Sequence, residues 1–198
     1  MQNRYTYWLF NDVIPEKDRK KIKRLGSKAG YKEAGVRDKD LKTKKAETKE
    51  RSTSVAFSSD KFLYDTFAPY VHSANEQAGW NYDLDWFESV QIARYGKDQH
   101  YSWHTDGQSD HFGCYKDGEN RQGKVRKISC VALLSNGYVG GDFELAVQKQ
   151  EEENEILRPD MGVGDVIVFP SWVFHRSTPI IKGTKYSISM WCLGPPFR

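Results

Sequence analysis

Two residues with metal-binding side chains, His104 and Asp106, lie two positions apart in a segment of β-forming residues. In a β-strand, residues i and i+2 project from the same face, so both side chains can reach one metal ion. Two histidines and one carboxylate on one face of an octahedron leave three adjacent coordination positions open, which is the arrangement of Fe(II) sites that activate oxygen. The pair therefore predicts an iron site that needs a second histidine downstream.

Two histidines follow the pair in the sequence, His111 and His175. His111 lies in the polar, glycine-rich run 108–123, too close to the pair to occupy a separate rigid strand. His175 follows the apolar run Val166–Phe169, which is typical of a strand that leads into a turn. We therefore choose His175 as the third ligand, and we interpret the run 108–123 as a lid over the site.

The segment from His175 to Trp191 carries a more specific pattern. His175 is followed by Pro179, by Gly183, by Lys185 ten positions on and by Trp191 sixteen positions on. This pattern resembles the distal-histidine signature of the Fe(II)/2-oxoglutarate oxygenase superfamily, particularly its prolyl 4-hydroxylase-like branch. A dicarboxylate that chelates iron at one end leaves a distal carboxylate, which needs a cationic partner away from water. Lys185 would supply that cation.

The resemblance extends upstream of the iron pair. Tyr95 and Tyr101 precede His104 by nine and three positions, as in the tyrosine-rich strand of prolyl 4-hydroxylases. Farther on, Arg126–Ser129 leads to Gly140-Gly141, which matches the family's spacing from an Arg-x-x-Thr strand to a paired-glycine turn. The resemblance implies that Tyr95 hydrogen-bonds the cosubstrate and that the Ser129 hydroxyl meets its distal carboxylate.

The resemblance implies a complete set of cofactors and site residues. Fe(II), 2-oxoglutarate and O2 would be used, with ascorbate as a further cofactor, to hydroxylate a substrate C–H with release of succinate and CO2. The expected partner is a peptide or protein whose prolyl residue is hydroxylated. The residues are His104, Asp106 and His175 for metal and catalysis; Lys185, Tyr95 and Ser129 for the cosubstrate; and Tyr101, Trp191 and Arg126 for the substrate.

Three other functions stay open at this point. About half of all lysines and arginines precede residue 52, so an oxygenase acting on nucleic acid is one alternative, although a solvated helix face explains the same charges. We do not expect nucleic acid as the partner, because the nucleic acid demethylases of the superfamily place arginines where this chain has Lys185 and Tyr186. A free metabolite is a second alternative substrate, and a cupin-like module that binds a ligand without turnover is a third reading.

The elements needed to position these residues can be predicted along the chain. An opening strand over 4–10 and a charged helix from Pro15 to Gly26 precede a lysine-rich connection over 27–52. A second helix starts after the capping cluster Ser58–Asp60 and runs towards Ala78. Short strands then follow at Ser89–Tyr95, His100–His104, Ile128–Leu134, Phe143–Val147, Asp165–Phe169 and Tyr186–Leu193.

This order predicts an α+β, mainly β fold, with a double-stranded β-helix (jelly-roll) core and N-terminal supporting helices. We expect a single oxygenase domain over 1–198, with 1–87 as support and 88–198 as the core. The acidic run Glu151–Glu155 predicts an exposed turn.

Sequence features outside these motifs point to an intracellular protein. No run approaches the roughly 20 apolar residues that span a bilayer, and the N-terminus lacks a secretion signal, so we expect a cytoplasmic protein without a membrane partner. His72 lies in a predicted helix without a candidate partner and is interpreted as structural. His100 precedes His104 by four residues, but a zinc-type pair is not expected, because the segment is predicted as a strand and lacks the required Glu. The cysteines lack paired spacing and are expected to be free thiols: Cys114, Cys130 and Cys192.

Overall fold

Two helices precede most of the strands in the described part of the chain. In the computed structural model, the described residues are 5–34, 50–107, 113–147 and 155–197. The helices are α1 (Glu16–Ala29) and α2 (Lys61–Gln77). The strands are β1 (Trp8–Phe10), β2 (Lys32–Glu33), β3 (Arg51–Ser52), β4 (Ser54–Ser58), β5 (Trp86–Phe87), β6 (Val90–Tyr95), β7 (His100–His104), β8 (Val125–Leu133), β9 (Val139–Gly140), β10 (Phe143–Val147), β11 (Glu155–Leu157), β12 (Val166–Pro170), β13 (Phe174–Ser177), β14 (Ile180–Lys182) and β15 (Lys185–Gly194).

The strands form two principal antiparallel sheets. The major sheet has the order β1-β12-β8-β15-β6-β4-β2, with β5 also paired to β15. The minor sheet has the order β11-β10-β13-β7-β3, and β14 and β9 form a separate pair. The two sheets build the predicted jelly-roll core, and strands from before residue 88 join both of them.

The major sheet is buried on both faces because its side chains alternate between two cores. Residues on its outer face pack against the helices, and the largest hydrophobic cluster includes Leu63, Phe67 and Val71 of α2 together with Ile128, Val168, Ile188 and Met190 of the sheet. The alternate residues of β8 and β15 face the minor sheet. This interior is the space in which a site can form.

The predicted helices are present, and one boundary differs. Helix α2 starts after Asp60, whose carboxylate accepts a hydrogen bond from the Phe62 amide at 3.0 Å, as expected for an N-cap. Helix α1 continues past Gly26 to Ala29. Gly26 lies inside the helix and is buried. A Cβ at this position would lie only 2.9 Å from the Ile92 side chain, so the glycine permits close packing of the helix on the sheet rather than ending the helix.

All six predicted core strands are confirmed, with ends that differ by at most three residues. Of the predicted connection 27–52, residues 35–49 lie outside the described residues, and the described part contains the end of α1 and the short strands β2 and β3. The predicted turn Glu151–Glu155 also lies outside them, except for Glu155, which begins β11. Among the described residues, no helix combines the length with the apolar composition that a transmembrane span requires.

Candidate metal centre and cosubstrate pocket

The three predicted metal ligands meet at the adjoining ends of two neighbouring strands. His175 of β13 is the direct register partner of His104 of β7, and Asp106 follows β7 by two residues. The ligand atoms of the three side chains all lie within 4.8 Å of one another. The His175 Nε2 atom lies 3.5 Å and the His104 Nε2 atom 3.9 Å from the Asp106 carboxylate oxygens. The cluster therefore has the composition and spacing of a facial two-histidine, one-carboxylate iron site.

Backbone hydrogen bonds orient both imidazoles. The Nδ1–H of His104 donates to the Ser102 carbonyl at 2.8 Å, and the Nδ1–H of His175 donates to the Val173 carbonyl at 2.9 Å. A carbonyl can only accept, so each Nδ1 carries a proton, and each Nε2 is the ring nitrogen that faces the Asp106 carboxylate and is placed to bind a metal. The donor set therefore fits a divalent cation such as Fe(II).

Burial and neighbouring groups set the charge of the ligands. Burial, helped by the nearby His175, lowers the pKa of His104 to about 3, so this imidazole is neutral at physiological pH. Burial opposes ionisation of Asp106, but the imidazoles of His175 and His104 and the Arg126 guanidinium lower its pKa to about 2. The cluster thus offers a neutral His104 and one carboxylate, the protonation states that metal binding requires of these groups.

The Asp106 carboxylate is held by Ser129, and Ser171 supports this pair. Ser129 of β8 donates from Oγ to Asp106 Oδ2 at 2.7 Å, and its hydroxyl lies 2.9 Å from that of Ser171. The Asp106 amide also donates to the Ser171 carbonyl at 2.9 Å. Ser171 was not identified from the sequence, because a serine that follows a strand carries no signal of its own.

Ser129 is placed differently from its expected contact with the distal carboxylate of the cosubstrate. It is the register partner of Trp191, six residues along β15 from Lys185. Six strand residues span about 20 Å, so the backbones at Ser129 and Lys185 lie far apart along the barrel. Ser129 therefore lies at the metal end of the pocket and Lys185 at its opposite end.

The Lys185 ammonium is buried at that opposite end. Its Nζ donates to the Gly141 carbonyl at 2.6 Å and to the Ser177 hydroxyl at 3.0 Å, and it lies 5.7 Å from the centre of the Tyr95 ring. Burial lowers the pKa of Lys185 to about 8, against an opposing effect of the Asp142 carboxylate. Within the described ranges, no carboxylate forms a salt bridge with this ammonium.

Tyr101 covers His104 on the inner side of the minor sheet. The two rings are stacked with centroids 3.5 Å apart and an angle of 14° between them. The Arg51 guanidinium lies over the Tyr101 ring, 4.4 Å from its centre, and its Nη2 donates to the Gln91 side-chain carbonyl at 3.0 Å. Burial raises the pKa of Tyr101 to about 12, so its hydroxyl stays protonated. Arg51 was missed in the sequence, because β3 has only two residues and no motif.

A second buried group of side chains adjoins the metal ligands. Arg126 of β8 is paired with the Glu88 carboxylate, and its guanidinium lies 4.0 Å from the centre of the Trp191 ring. Tyr115 packs in the same cluster as Trp191. The buried Trp191 Nε1 has no hydrogen-bond partner among the described residues, which leaves one donor for a ligand. Glu88 and Tyr115 were not identified from the sequence, and His111 lies outside the described residues.

Solved structures share this fold at low sequence identity. A prolyl hydroxylase from Trichoplax adhaerens, solved with a peptide fragment of the hypoxia inducible factor oxygen degradation domain, is 16% identical with a TM-score of 0.67, and the alignment covers 94% of this chain and 83% of that one. A prolyl-4-hydroxylase from Pseudomonas putida is 16% identical with a TM-score of 0.63, covering 95% and 92%. Likeness at such identity supports the fold alone.

Sequence comparison identifies the family. A PKHD-type hydroxylase of Xylella fastidiosa (strain M12) is 31% identical over 101 residues, which are 50% of this chain and 41% of the relative. The chain thus matches less than half the length of this curated relative. The sequence signature of the 2OG-Fe(II) oxygenase superfamily matches residues 90–193, a span that contains all three metal ligands and Lys185. Fe(II) and 2-oxoglutarate are the cofactors of that family. Because the match covers more than half of the sequence, the chain belongs to the 2OG-Fe(II) oxygenase superfamily.

Proposed function

We propose that the protein is an Fe(II)- and 2-oxoglutarate-dependent dioxygenase that hydroxylates a prolyl residue in a peptide or protein. The observation that carries the proposal is the position of Lys185 relative to the metal ligands. Its ammonium bonds to Ser177, which lies two residues beyond His175 on β13, and two strand residues span about 7 Å. A short diacid that chelates a metal at His175 can therefore direct its distal carboxylate to Lys185.

The residues at each end of the pocket have separable tasks. His104, Asp106 and His175 hold the metal, while Lys185 orients the cosubstrate through charge-assisted hydrogen bonds. Tyr95 borders the Lys185 ammonium and is suited to hydrogen-bond the same ligand. When bound, iron and 2-oxoglutarate supply the oxidising chemistry, in which O2 is consumed, succinate and CO2 are released and one oxygen atom enters a substrate C–H bond.

The cluster of Arg126, Glu88, Trp191 and Tyr115 supports a substrate position beside the metal. The Glu88 carboxylate neutralises Arg126, so the cluster presents aromatic surface and hydrogen-bond donors without a large net charge. Such a surface suits a neutral prolyl ring with adjacent peptide carbonyls better than a phosphate backbone. Tyr101, stacked on His104, would form a further wall that excludes water.

Two measurements test the proposal at two levels. Succinate release from 2-oxoglutarate, dependent on Fe(II) and O2 and measured with ascorbate present and absent, tests the oxygenase; we expect it to be lost in His175→Ala. Mass detection of a +16 Da product on proline-containing peptides tests the substrate. Succinate release without any hydroxylated peptide would retain the oxygenase and reject the prolyl substrate, in favour of a metabolite or nucleic acid. The cytoplasmic location and the single domain stay predictions.

A further inference from the structure

A cavity of about 330 Å³ lies beside Lys185 inside the barrel. Its inner walls are alternate residues of two neighbouring strands of the major sheet, Val131 and Leu133 of β8 and Lys185 and Ser187 of β15. Ser129, the inward-facing residue that precedes Val131 on β8, donates to Asp106. The cavity wall at Val131 therefore begins next to the metal ligands. The cavity is therefore positioned to hold the distal part of a ligand that chelates the metal.

Phe143 marks the boundary between this cavity and the metal ligands. Its side chain lines the cavity, and its ring centre lies 5.7 Å from that of His175. None of the three metal ligands lines the cavity itself. The volume of the cavity is thus additional to the space occupied by the chelating end of a 2-oxo acid.

The outer end of the cavity reaches the protein surface. Asp142, Arg158 and Asp160 line it, and all three are exposed to solvent, with 68% of the Arg158 side chain accessible. A pocket closed by a wall selects one ligand length, because a longer chain collides with that wall. An open end removes this collision, because the additional atoms project towards solvent.

The cavity is larger than the distal end of 2-oxoglutarate requires. At about 30 Å³ of liquid volume for each water molecule, it could hold roughly eleven waters, whereas only two methylenes and one carboxylate of 2-oxoglutarate extend beyond the chelating atoms. The Lys185 ammonium carries three donors, of which two are used by Gly141 and Ser177, so one donor remains for a carboxylate that lies farther from the metal.

We propose that the cosubstrate pocket accepts 2-oxo acids whose distal carboxylate lies farther from the keto group than in 2-oxoglutarate, the simplest being the six-carbon 2-oxoadipate. This inference rests on the proposed function, because it assigns the cavity to the same cosubstrate site. It goes beyond that function by naming a wider class of cosubstrate. Leu133 and the open end near Asp160 are the specificity-determining features.

Calorimetric titration of the Fe(II)-loaded enzyme under anaerobic conditions tests the inference without any substrate. The titrants are 2-oxoglutarate, 2-oxoadipate and pyruvate, which has no distal carboxylate. We expect the dissociation constant of 2-oxoadipate to lie within about tenfold of that of 2-oxoglutarate, and pyruvate to bind more than about tenfold more weakly than either.

Two variants locate the binding of the longer acid in the cavity. Leu133→Phe narrows the cavity from its buried wall, and Asp160→Trp narrows its exposed end, where a large side chain does not disturb the core. Each should weaken 2-oxoadipate at least about tenfold relative to 2-oxoglutarate. Glu76→Trp, an equally large change on the exposed face of α2, is the matched control and should leave the ratio of the two affinities unchanged.

The outcomes separate the inference from the proposed function. If 2-oxoglutarate binds and 2-oxoadipate binds more than about a hundredfold more weakly, the inference is overturned while the proposed function stands. An Asp160→Trp enzyme whose affinity ratio does not change also overturns it, because the longer acid would then lie elsewhere. If neither acid binds the iron-loaded enzyme, the proposed function and the inference both fail.

Discussion

At the scale of single residues, the orientation of the Asp106 carboxylate affects how tightly the site binds a metal ion. Asp106 offers a carboxylate to the metal, and one of its oxygens already accepts a hydrogen bond from Ser129. This bond holds the carboxylate in one orientation, as partners of metal-bound carboxylates generally do. The serine therefore contributes to metal affinity without touching the metal.

Replacing Ser129 tests this contribution. We expect Ser129→Ala to weaken Fe(II) binding about 10- to 100-fold, because the carboxylate loses the hydroxyl that fixes it. Ser129→Thr keeps the hydroxyl and should stay near the parent affinity. Metal titration of the two variants measures the difference, and equal Fe(II) affinities of Ser129→Ala and Ser129→Thr would show that the Ser129 hydroxyl does not contribute to metal binding.

The buried Lys185 predicts a pH dependence of cosubstrate binding. Its pKa of about 8 means that the ammonium loses its proton as the pH rises above that value, and the amine left behind binds a carboxylate poorly. The dissociation constant of 2-oxoglutarate should therefore rise about tenfold from pH 8 to pH 9.5. Lys185→Arg, which stays charged over this range, should remove the dependence, and a flat wild-type profile would contradict the assignment.

The same pKa shift has an effect of opposite sign on stability. An unfolded lysine titrates near 10.4, so between about pH 8 and 10.4 the unfolded chain holds more protons than the folded one at this residue. The Lys185 contribution to the free energy of unfolding accordingly increases with pH across that interval. A free energy of unfolding that increases with pH, together with cosubstrate binding that weakens with pH, would assign both effects to Lys185.

At the scale of elements, sequence patterns predicted six strands of the core, including β7 with His104. Strand β13, which carries His175, was not predicted as a strand, because its inward residues are His175 and Ser177 while the outward Phe174 is 45% exposed. The usual alternation of apolar inside and polar outside is therefore reversed. The functional residues themselves removed the signal on which strand prediction depends.

The site residues fall into two groups, those that a sequence motif indicates and those that only the folded structure brings to the site. The metal ligands and Lys185 could be chosen because their spacing follows a family pattern, and the structure brings them to one pocket. Arg51 and Ser171 reach the site only through pairing between distant strands and through a turn, which local sequence does not encode. Local sequence patterns thus pointed to residues that belong to a motif, although the motif residue Ser129 lies against Asp106 rather than beside Lys185. They gave no signal for residues that are placed by long-range packing.

Helix α2 gives a prediction about its own stability. The Asp60 carboxylate accepts a hydrogen bond from the Phe62 amide, which otherwise lacks a partner within the helix. Asp60→Ala should lower the free energy of unfolding by about 1 kcal/mol, whereas Asp60→Asn should retain most of it. Urea denaturation measures both, and an equal loss in the two variants would mean that charge, rather than capping, is responsible.

For the whole molecule, the metal ligands join the adjoining ends of the neighbouring minor-sheet strands β7 and β13, so metal binding should stabilise the folded chain. At a free Fe(II) concentration 100 times the dissociation constant, the gain is about 2.7 kcal/mol. For a chain of 198 residues this corresponds to an increase in Tm of roughly 5–10 °C. Anaerobic scanning calorimetry measures the shift, and its persistence in His175→Ala would place the stabilising ion elsewhere.

Strand β1 covers the edge of β12 in the major sheet. It pairs along β12 through Trp8, Leu9 and Phe10, opposite Val168, Ile167 and Val166. Without it, the fully buried β12 would become an open edge whose amides and carbonyls could pair with a second chain. Pairing of β1 with β12 thus prevents edge-to-edge association through β12. A chain that lacks residues 1–10 would expose this edge and form intermolecular aggregates.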